Sequence, residues 1–519
     1  MELNKLDKKR IIFIMTGLML AILLASLDST IVGTAMPKII EKLNGFSYYT
    51  WPVISYLLCI TISMPLFGKL SDLYGFKKIY VIGIVIFLVG SALCGMSQNM
   101  LQLIFFRGLQ GIGGAVLISN TMAIIGVLFP PADRAKYTGI LGTAGALASI
   151  VGPTLGGYIT DSFNWRWIFY VNVPVGMIAL LIIISALPSH TETEKRKKVD
   201  YVGAAALVLA LIPLLLGFTW GGNKYAWNSV QIMSMFAFSL VMLIGFLLIE
   251  KKAADPVIPL ALFKSSVFNF SAIEMFLLNA ILMGSTIFIP LFVQGVVGKS
   301  ASKSGAIMTP MMVSLIIGSI VSGVIISKTQ KYKLQSIIGF IVIALGSLLL
   351  VFLRVDSGNF VIVSDMIILG IGMGIVMPIL SSAAQNAFSE EQMGVVTSGV
   401  QFFKLLGSTI SSAVMGTILN TSISDGIQHL DVSKLPAGMT AVLMNPSMIS
   451  NTEMLTGIKA KLPAVMLPAF QKVVEQIKHI LANSIHDVFM ICLVIALVGL
   501  FLIFFMKEIP LAKRSIEGE

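Results

Sequence analysis

The chain has 519 residues, 56% of them hydrophobic and only 12% charged, and its mean hydropathy is +0.92. Soluble domains carry about 25% charged residues, so a deficit this deep over this length excludes a soluble globular protein and points to the bilayer. The net charge of +11 sits in short basic tracts between apolar runs, a pattern of membrane orientation rather than of nucleic-acid binding.

About twenty apolar residues cross a bilayer as a helix. Fourteen runs qualify, near 11–36, 51–70, 79–97, 101–128, 136–160, 167–187, 200–219, 229–249, 267–294, 304–326, 335–353, 360–387, 393–420 and 485–506. Runs of this length exclude barrel strands of about ten residues. The first follows MELNKLDKKR and is longer than a signal-peptide core, so it reads as a retained span. With the N-terminus inside, the inner segments hold 22 Lys and Arg against 7 in short outer loops, which predicts both termini in the cytoplasm of a bacterial cell.

A repeat divides the chain. "GIGGAVLISN" at 111–120 resembles "GIGMGIVMPI" at 370–379, and "GKLSDLYGFKKIYVIG" at 68–83 has a weaker echo at 323–339. An all-α membrane protein follows, with two six-helix bundles and two inserted helices. The expected units are 1–187 (N-terminal bundle), 188–250 (linker with the inserted helices), 251–420 (five helices of the C-terminal bundle), 421–484 and 485–519 (last span and tail). The outer segment 421–484 contains "LPAFQKVVEQIKHILANSI", whose helical spacing predicts an amphipathic helix lying on the outer surface. A small folded cap is the alternative.

Charges within the spans mark candidate chemistry. Asp28 is the one ionisable residue between 11 and 36. The first span is expected to end near Pro37, about nine residues beyond Asp28, and Arg107 lies about seven residues into the fourth, which descends from the same side. Both therefore sit at roughly 10–14 Å depth. Pairing favours a charged Asp28 and desolvation its protonated form, which suits a group that changes state; a static pair holding two helices in register is the other reading. Glu274 is the second intramembrane acid, with Asn279 deeper in the same span. It reads as a proton or cation carrier, or as a side chain reaching the inner headgroups. Asp365, one turn into its span, is expected to snorkel to water, unless the repeat gives it a central place beside the equivalent of Arg107. Lys404 either offsets Glu274 or reaches the inner surface. The fifth span is glycine-rich, and Gly152, Pro153, Gly156 and Gly157 predict a close, deformable helix contact or ordinary tight packing.

Four scattered histidines and three cysteines inside apolar runs suggest no metal site and no disulfide framework. There is no phosphate-binding loop, so pumping would draw on an ion gradient, without a cofactor.

These stretches together resemble the major facilitator superfamily and, within it, the fourteen-helix drug:proton antiporter branch. "LDSTIVGTAMP" is similar to the branch's first-helix motif, "GKLSDLYGFKK" at 68–78 to the loop motif after the second helix, and "RGLQGIGGA" at 107–115 to the arginine motif of the fourth. "GPTLGG" at 152–157 resembles the antiporter motif and "NWRWIFYVNVPVG" at 164–176 the start of the sixth helix. The resemblance implies a major facilitator fold that exports small amphipathic compounds by alternating access in exchange for protons, with no enzymatic activity. It places gating in the loop residues Gly68, Asp72, Gly75, Lys77 and Lys78, with Arg134 able to pair with Asp72. Leu73 and Phe76 stand where the loop motif is basic, and the tenth span lacks the acid some members carry, a place Glu274 could fill. The reading is of a monomeric exporter of cationic drugs whose substrate competes with protons at Asp28 and Glu274. The rivals are a dedicated exporter of one endogenous metabolite and a non-transporting scaffold or sensor.

Overall fold

The computed structural model describes residues 7–129, 131–188, 201–222, 224–253, 256, 258–329, 331–388, 392–429, 467–506 and 508. The expected spans are all helical. They are α1 (Lys8–Leu43), α2 (Trp51–Tyr74), α3 (Phe76–Met96), α4 (Met100–Leu128) and α5 (Pro131–Ser162). The sixth is divided into α6 (Trp167–Tyr170) and α7 (Asn172–Ala186). Then come α8 (Tyr201–Trp220), α9 (Val230–Glu250), α10 (Ser266–Leu291), α11 (Ala301–Thr329), α12 (Lys333–Val351), α13 (Asn359–Asn386), α14 (Met393–Gln428) and α15 (Leu467–Ile503). The chain is a multi-pass membrane protein.

Two boundaries differ from the sequence reading. Helix α1 does not stop at Pro37 but continues to Leu43, capped by Asn44 in the left-handed conformation (φ 51°). Proline is tolerated inside a membrane helix when a neighbour satisfies the disturbed backbone, and the Gln294 side-chain amide donates to the Thr34 carbonyl at 2.9 Å. Gln294 lies in a π-helical turn, Phe292–Val296, that extends α10. The second difference concerns 467–485. The amphipathic stretch is helical but does not lie flat as a separate element: it is the first half of α15, a single 37-residue helix. No proline or glycine interrupts the chain between Pro468 and Gly499, and the apolar stripe Phe470, Val473, Ile477 and Leu481 is buried. It packs on the end of α14, where Ile480 covers Gly426 and Ser422 donates to Asp487 at 2.6 Å. Residues 430–466 lie outside the described ones.

The break between α6 and α7 has a local cause. Pro174 has no N–H to give the Tyr170 carbonyl, and the helix restarts at Asn172.

Packing sorts the helices. Helix α1 packs on α5 and α7, and α4 on α2 and α3; α10 packs on α14 and α15, and α13 on α11 and α12. Helices α8 and α9 pack mainly on each other, with α8 also reaching α14 and α2. The internal repeat is written in glycine contacts. A side chain at Gly83 would strike Val116, and one at Gly339 would strike Val376. Likewise Gly90 faces the backbone of Gln110 and Gly346 that of Leu369, while Gly113 faces Phe87 and Gly372 faces Ile343. The α3 and α12 partners are each offset by 256 residues (339 − 83, 346 − 90 and 343 − 87), and the α4 and α13 partners by 259 or 260 (372 − 113, 369 − 110 and 376 − 116).

The two sets of helices meet at the Leu43 end of α1. Tyr49 donates to the Ile287 carbonyl at 2.8 Å, and Thr154 bonds Thr309 at 2.5 Å. Asp161 caps the start of α11, accepting from the amides of Ala301 at 3.3 Å and Ser302 at 2.7 Å. Glycines allow the backbones to touch: Gly157 lies on Ala301, and Gly305 on Pro153. Toward the other end, Gly142 of α5 and Gly323 of α11 face open space.

Candidate functional site

The geometry brings Asp28 and Arg107 together. Both are 1% exposed, and Arg107 Nη1 meets Asp28 Oδ2 at 2.5 Å. Gln110, one turn along α4 on the same face, donates from Nε2 to Asp28 Oδ1 at 2.9 Å and accepts from Arg107 Nη1 at 2.8 Å. Asn172, the first residue of α7, donates from Nδ2 to Asp28 Oδ1 at 3.1 Å and to Ser91 Oγ at 3.0 Å. Ser91 in turn donates to the Phe169 carbonyl at 2.9 Å. The carboxylate thus receives three donors from α4 and α7.

Glycines make this assembly possible. Gly90 of α3 admits the backbone of Gln110, and Gly111 admits that of Tyr56 on α2. The Tyr56 ring consequently lies 4.0 Å from the guanidinium carbon of Arg107, a cation–π contact, and the Pro52 carbonyl accepts from Arg107 Nε at 3.3 Å. A buried ion pair is costly to desolvate and holds only when its remaining hydrogen-bonding positions are filled; here the amides, the ring and a backbone carbonyl fill them.

Glu274 stands in the opposite condition. It is 0% exposed, so it does not reach the headgroups, and neither carboxylate oxygen has a hydrogen-bond partner among the described residues. Lys404, half-buried on α14, therefore does not offset it. Glu274 Oε2 points at Gly499 of α15, coming to 3.0 Å of where a Cβ would stand there, beside the Phe340 ring of α12. Asn279 is buried and donates to the Met275 carbonyl of its own helix at 2.9 Å, away from any acid. Asp365 is 3% exposed and does not snorkel; its Oδ2 is buried without a hydrogen-bond partner among the described residues. Its helix begins at Asn359 and packs on both α11 and α12, with Leu369 against Gly346 and Gly370 against Met311 one turn beyond Asp365.

The fifth-span glycines divide their contacts. Gly152 and Gly156 lie on Thr30 and Thr34 of α1, while Pro153 and Gly157 meet α11. Helix α5 is thus wedged between the two sets of helices, in backbone contact with both. In the loop motif, Gly75 adopts φ +87° at the turn between α2 and α3, a conformation suited to glycine, and Lys77 and Lys78 open α3. Nothing lies within 4 Å of a Cβ built on Gly68. The side chains of Asp72 and Arg134 lie outside the described ones, as does their expected pairing.

Gln110, Asn172, Tyr56 and Ser91 escape a reading based on charge. The signal was present in part: Gln110 is three residues from Arg107, and Asn172 is an isolated amide in an apolar run.

A bundle of membrane-crossing helices with an internal repeat and a polar cluster at depth defines a membrane transporter, not an enzyme. The comparisons agree. A sequence model of the Major Facilitator Superfamily matches residues 18–412. The chain is 41% identical over its whole length to the Multidrug transporter protein MdtP of Bacillus subtilis (strain 168), covering 97% of that protein. It is 35% identical to Multidrug resistance protein 3 of the same strain, over 96% of this chain and 95% of that one. In fold it is similar to a bacterial homolog of the human lysosomal transporter Spinster, solved inward-facing and occupied, with TM-score 0.67, 15% identity and coverage of 96% of this chain and 98% of that one. The chain belongs to the major facilitator superfamily.

Proposed function

We propose that this transporter exports amphipathic drugs, cations among them, in exchange for protons, and that Asp28 is the group that binds the proton. The observation that carries the reading is the cluster of Asp28, Arg107, Gln110 and Asn172, which ties α1, α4 and α7 together around one buried carboxylate. Protonation of Asp28 removes the charge that holds Arg107, so it weakens one arrangement of these helices relative to another. A ligand shifts such an equilibrium only by its differential affinity for the two states, and a carboxylate whose partners rearrange supplies that difference.

The alternation runs through the wedge of α5. The contacts at the Leu43 end must part while the Lys8 end closes, and the glycines that let α5 slide against α1 and α11 suit that motion. The excess of basic residues in alternate loops supports a cytoplasmic Lys8 end. The orientation supports an open, drug-accepting state facing inward. Glu274 is a second proton site, set between α10, α12 and α15, acting on the packing of the C-terminal helices. Its carboxylate lies against Gly499 and Phe340, which suits a response to protons without substrate contact.

The test is drug accumulation inside vesicles that carry the purified protein with its Lys8 end facing outward, energised by an imposed pH gradient, acid inside. Asp28→Asn is expected to abolish gradient-driven transport of cationic dyes while folded protein stays in the membrane. Undiminished uphill transport by that variant would overturn the assignment.

A further inference from the structure

Asp28 is equipped for its charged form and lacks an evident partner for its acid form. Its Oδ2 faces the Arg107 cation, so an added proton would sit on Oδ1, where it meets two N–H donors, Gln110 Nε2 at 2.9 Å and Asn172 Nδ2 at 3.1 Å. An O–H needs an acceptor. Gln110 Oε1 is engaged, receiving Arg107 Nη1 at 2.8 Å and the Cys94 thiol at 3.7 Å. Asn172 Oδ1, by contrast, is buried with no hydrogen-bond partner among the described residues, on a side chain that is 0% exposed. Native proteins leave few buried polar atoms unpaired, and an orphan at a functional site invites a role.

We propose that Asn172 serves both protonation states of Asp28, donating to the carboxylate and, after a half-turn of its amide, accepting from the carboxylic acid. The half-turn exchanges Nδ2 and Oδ1, bringing the carbonyl oxygen to face both Asp28 Oδ1 and Ser91 Oγ. Ser91, which now accepts from Nδ2 and donates to the Phe169 carbonyl, can turn its hydroxyl to donate to Oδ1 instead. One amide atom lacks a partner in either orientation, and the turn gives up the Ser91 hydrogen bond to the Phe169 carbonyl in return for the new acceptor at Asp28. The proton arrives from water as hydronium and forms one O–H bond at Oδ1; nothing is oxidised or reduced. The other ionisable groups facing Asp28 are Arg107 on α4, Tyr56 on α2 and Cys94 on α3. Arg107 is a donor and its cation holds Oδ2, while the Cys94 thiol points to Gln110. The Tyr56 hydroxyl has no hydrogen-bond partner among the described residues, Asp28 included. None of the three offers the missing acceptor. Asn172 is thus a positioning residue for the proton site, and the inference rests on the reading of Asp28 as that site.

The experiment is infrared difference spectroscopy, acid minus neutral, on the full-length protein in lipid. A carboxylic-acid band that disappears in Asp28→Asn belongs to Asp28. In Asn172→Leu, which keeps the branching and heavy-atom count and removes the amide, this band is expected at higher frequency, that of an acid without an acceptor. A band that stays in place would overturn the inference while leaving Asp28 as the proton carrier. Should the leucine variant fail to fold, wild-type protein labelled with 13C-asparagine decides. An isotope-shifted amide band in the difference spectrum, absent from Asp28→Asn, supports the turn of Asn172, and its absence from the wild type overturns it. If no acid band is lost in Asp28→Asn, the proton-binding role fails and this inference with it.

Discussion

Asp28 and Glu274 are both carboxylates buried among apolar helices, yet their surroundings are opposites. Asp28 has a cation at 2.5 Å and two amide donors, assembled from α4 and α7 through glycine contacts with α2 and α3. Glu274 has two oxygens without partners, a glycine and a phenylalanine ring. The positions that correspond to Arg107 and Gln110 by the 259-residue offset (107 + 259 and 110 + 259) are Met366 and Leu369, both fully buried. The two halves share the glycine contacts, and at these two positions the C-terminal half has apolar side chains where the N-terminal half has the polar cluster. A shared backbone plan therefore does not imply shared chemistry: one half surrounds its carboxylate with donors, and the other leaves its carboxylate without a hydrogen-bond partner among the described residues.

The comparison breaks first at Arg107. Arg107→Met leaves the Asp28 charge with amide donors alone, and loss of one member of a buried pair costs about 3–5 kcal/mol. The expected result is a large fall in the melting temperature of the purified protein; unchanged stability would mean the pair contributes nothing. The seam between the halves comes next. Gly157→Leu forces a side chain into the backbone at Ala301, and such overpacking costs about 1–3 kcal/mol. Fewer cross-links between cysteines introduced across the α5–α11 contact, with slower efflux, are expected. Thr154→Val removes one hydrogen bond at that seam, worth about 0.5–1.5 kcal/mol, so a weaker effect in the same cross-linking assay is expected. The smallest stability change falls on the unsupported acid. Glu274→Gln breaks no hydrogen bond and removes a charge that has no partner, so the melting temperature should hold or rise slightly. Fewer protons should move per substrate in vesicles. A marked loss of stability would show that Glu274 has a partner after all.

Much of this was legible in the sequence, for physical reasons. A membrane helix must be apolar along its whole length, so each span declares itself, and a charge within one stands out. Asp28 and Arg107 stood out as opposite charges in apolar spans, each costly alone; their depths, counted from a helix end at Pro37, did not fix the match, since α1 continues to Leu43. Gln110 and Asn172 were not legible. Uncharged amides carry little signal in an apolar run, and their meeting at Asp28 spans 82 and 144 residues of chain. The depth of Asp365 misled because one turn from a helix end is not a measure of exposure when two neighbouring helices pack over it. The continuity of α15 was hidden for a related reason. The change from an amphipathic to an apolar pattern looks like a boundary, although the backbone has no breaker there.

The most direct measurement is the release of protons when drug is added to the purified protein in weakly buffered detergent solution. The account predicts that a cationic drug releases protons from the wild type and that the release attributable to Asp28 disappears in Asp28→Asn while drug binding remains detectable. Equal release from both proteins, with binding intact, would contradict it.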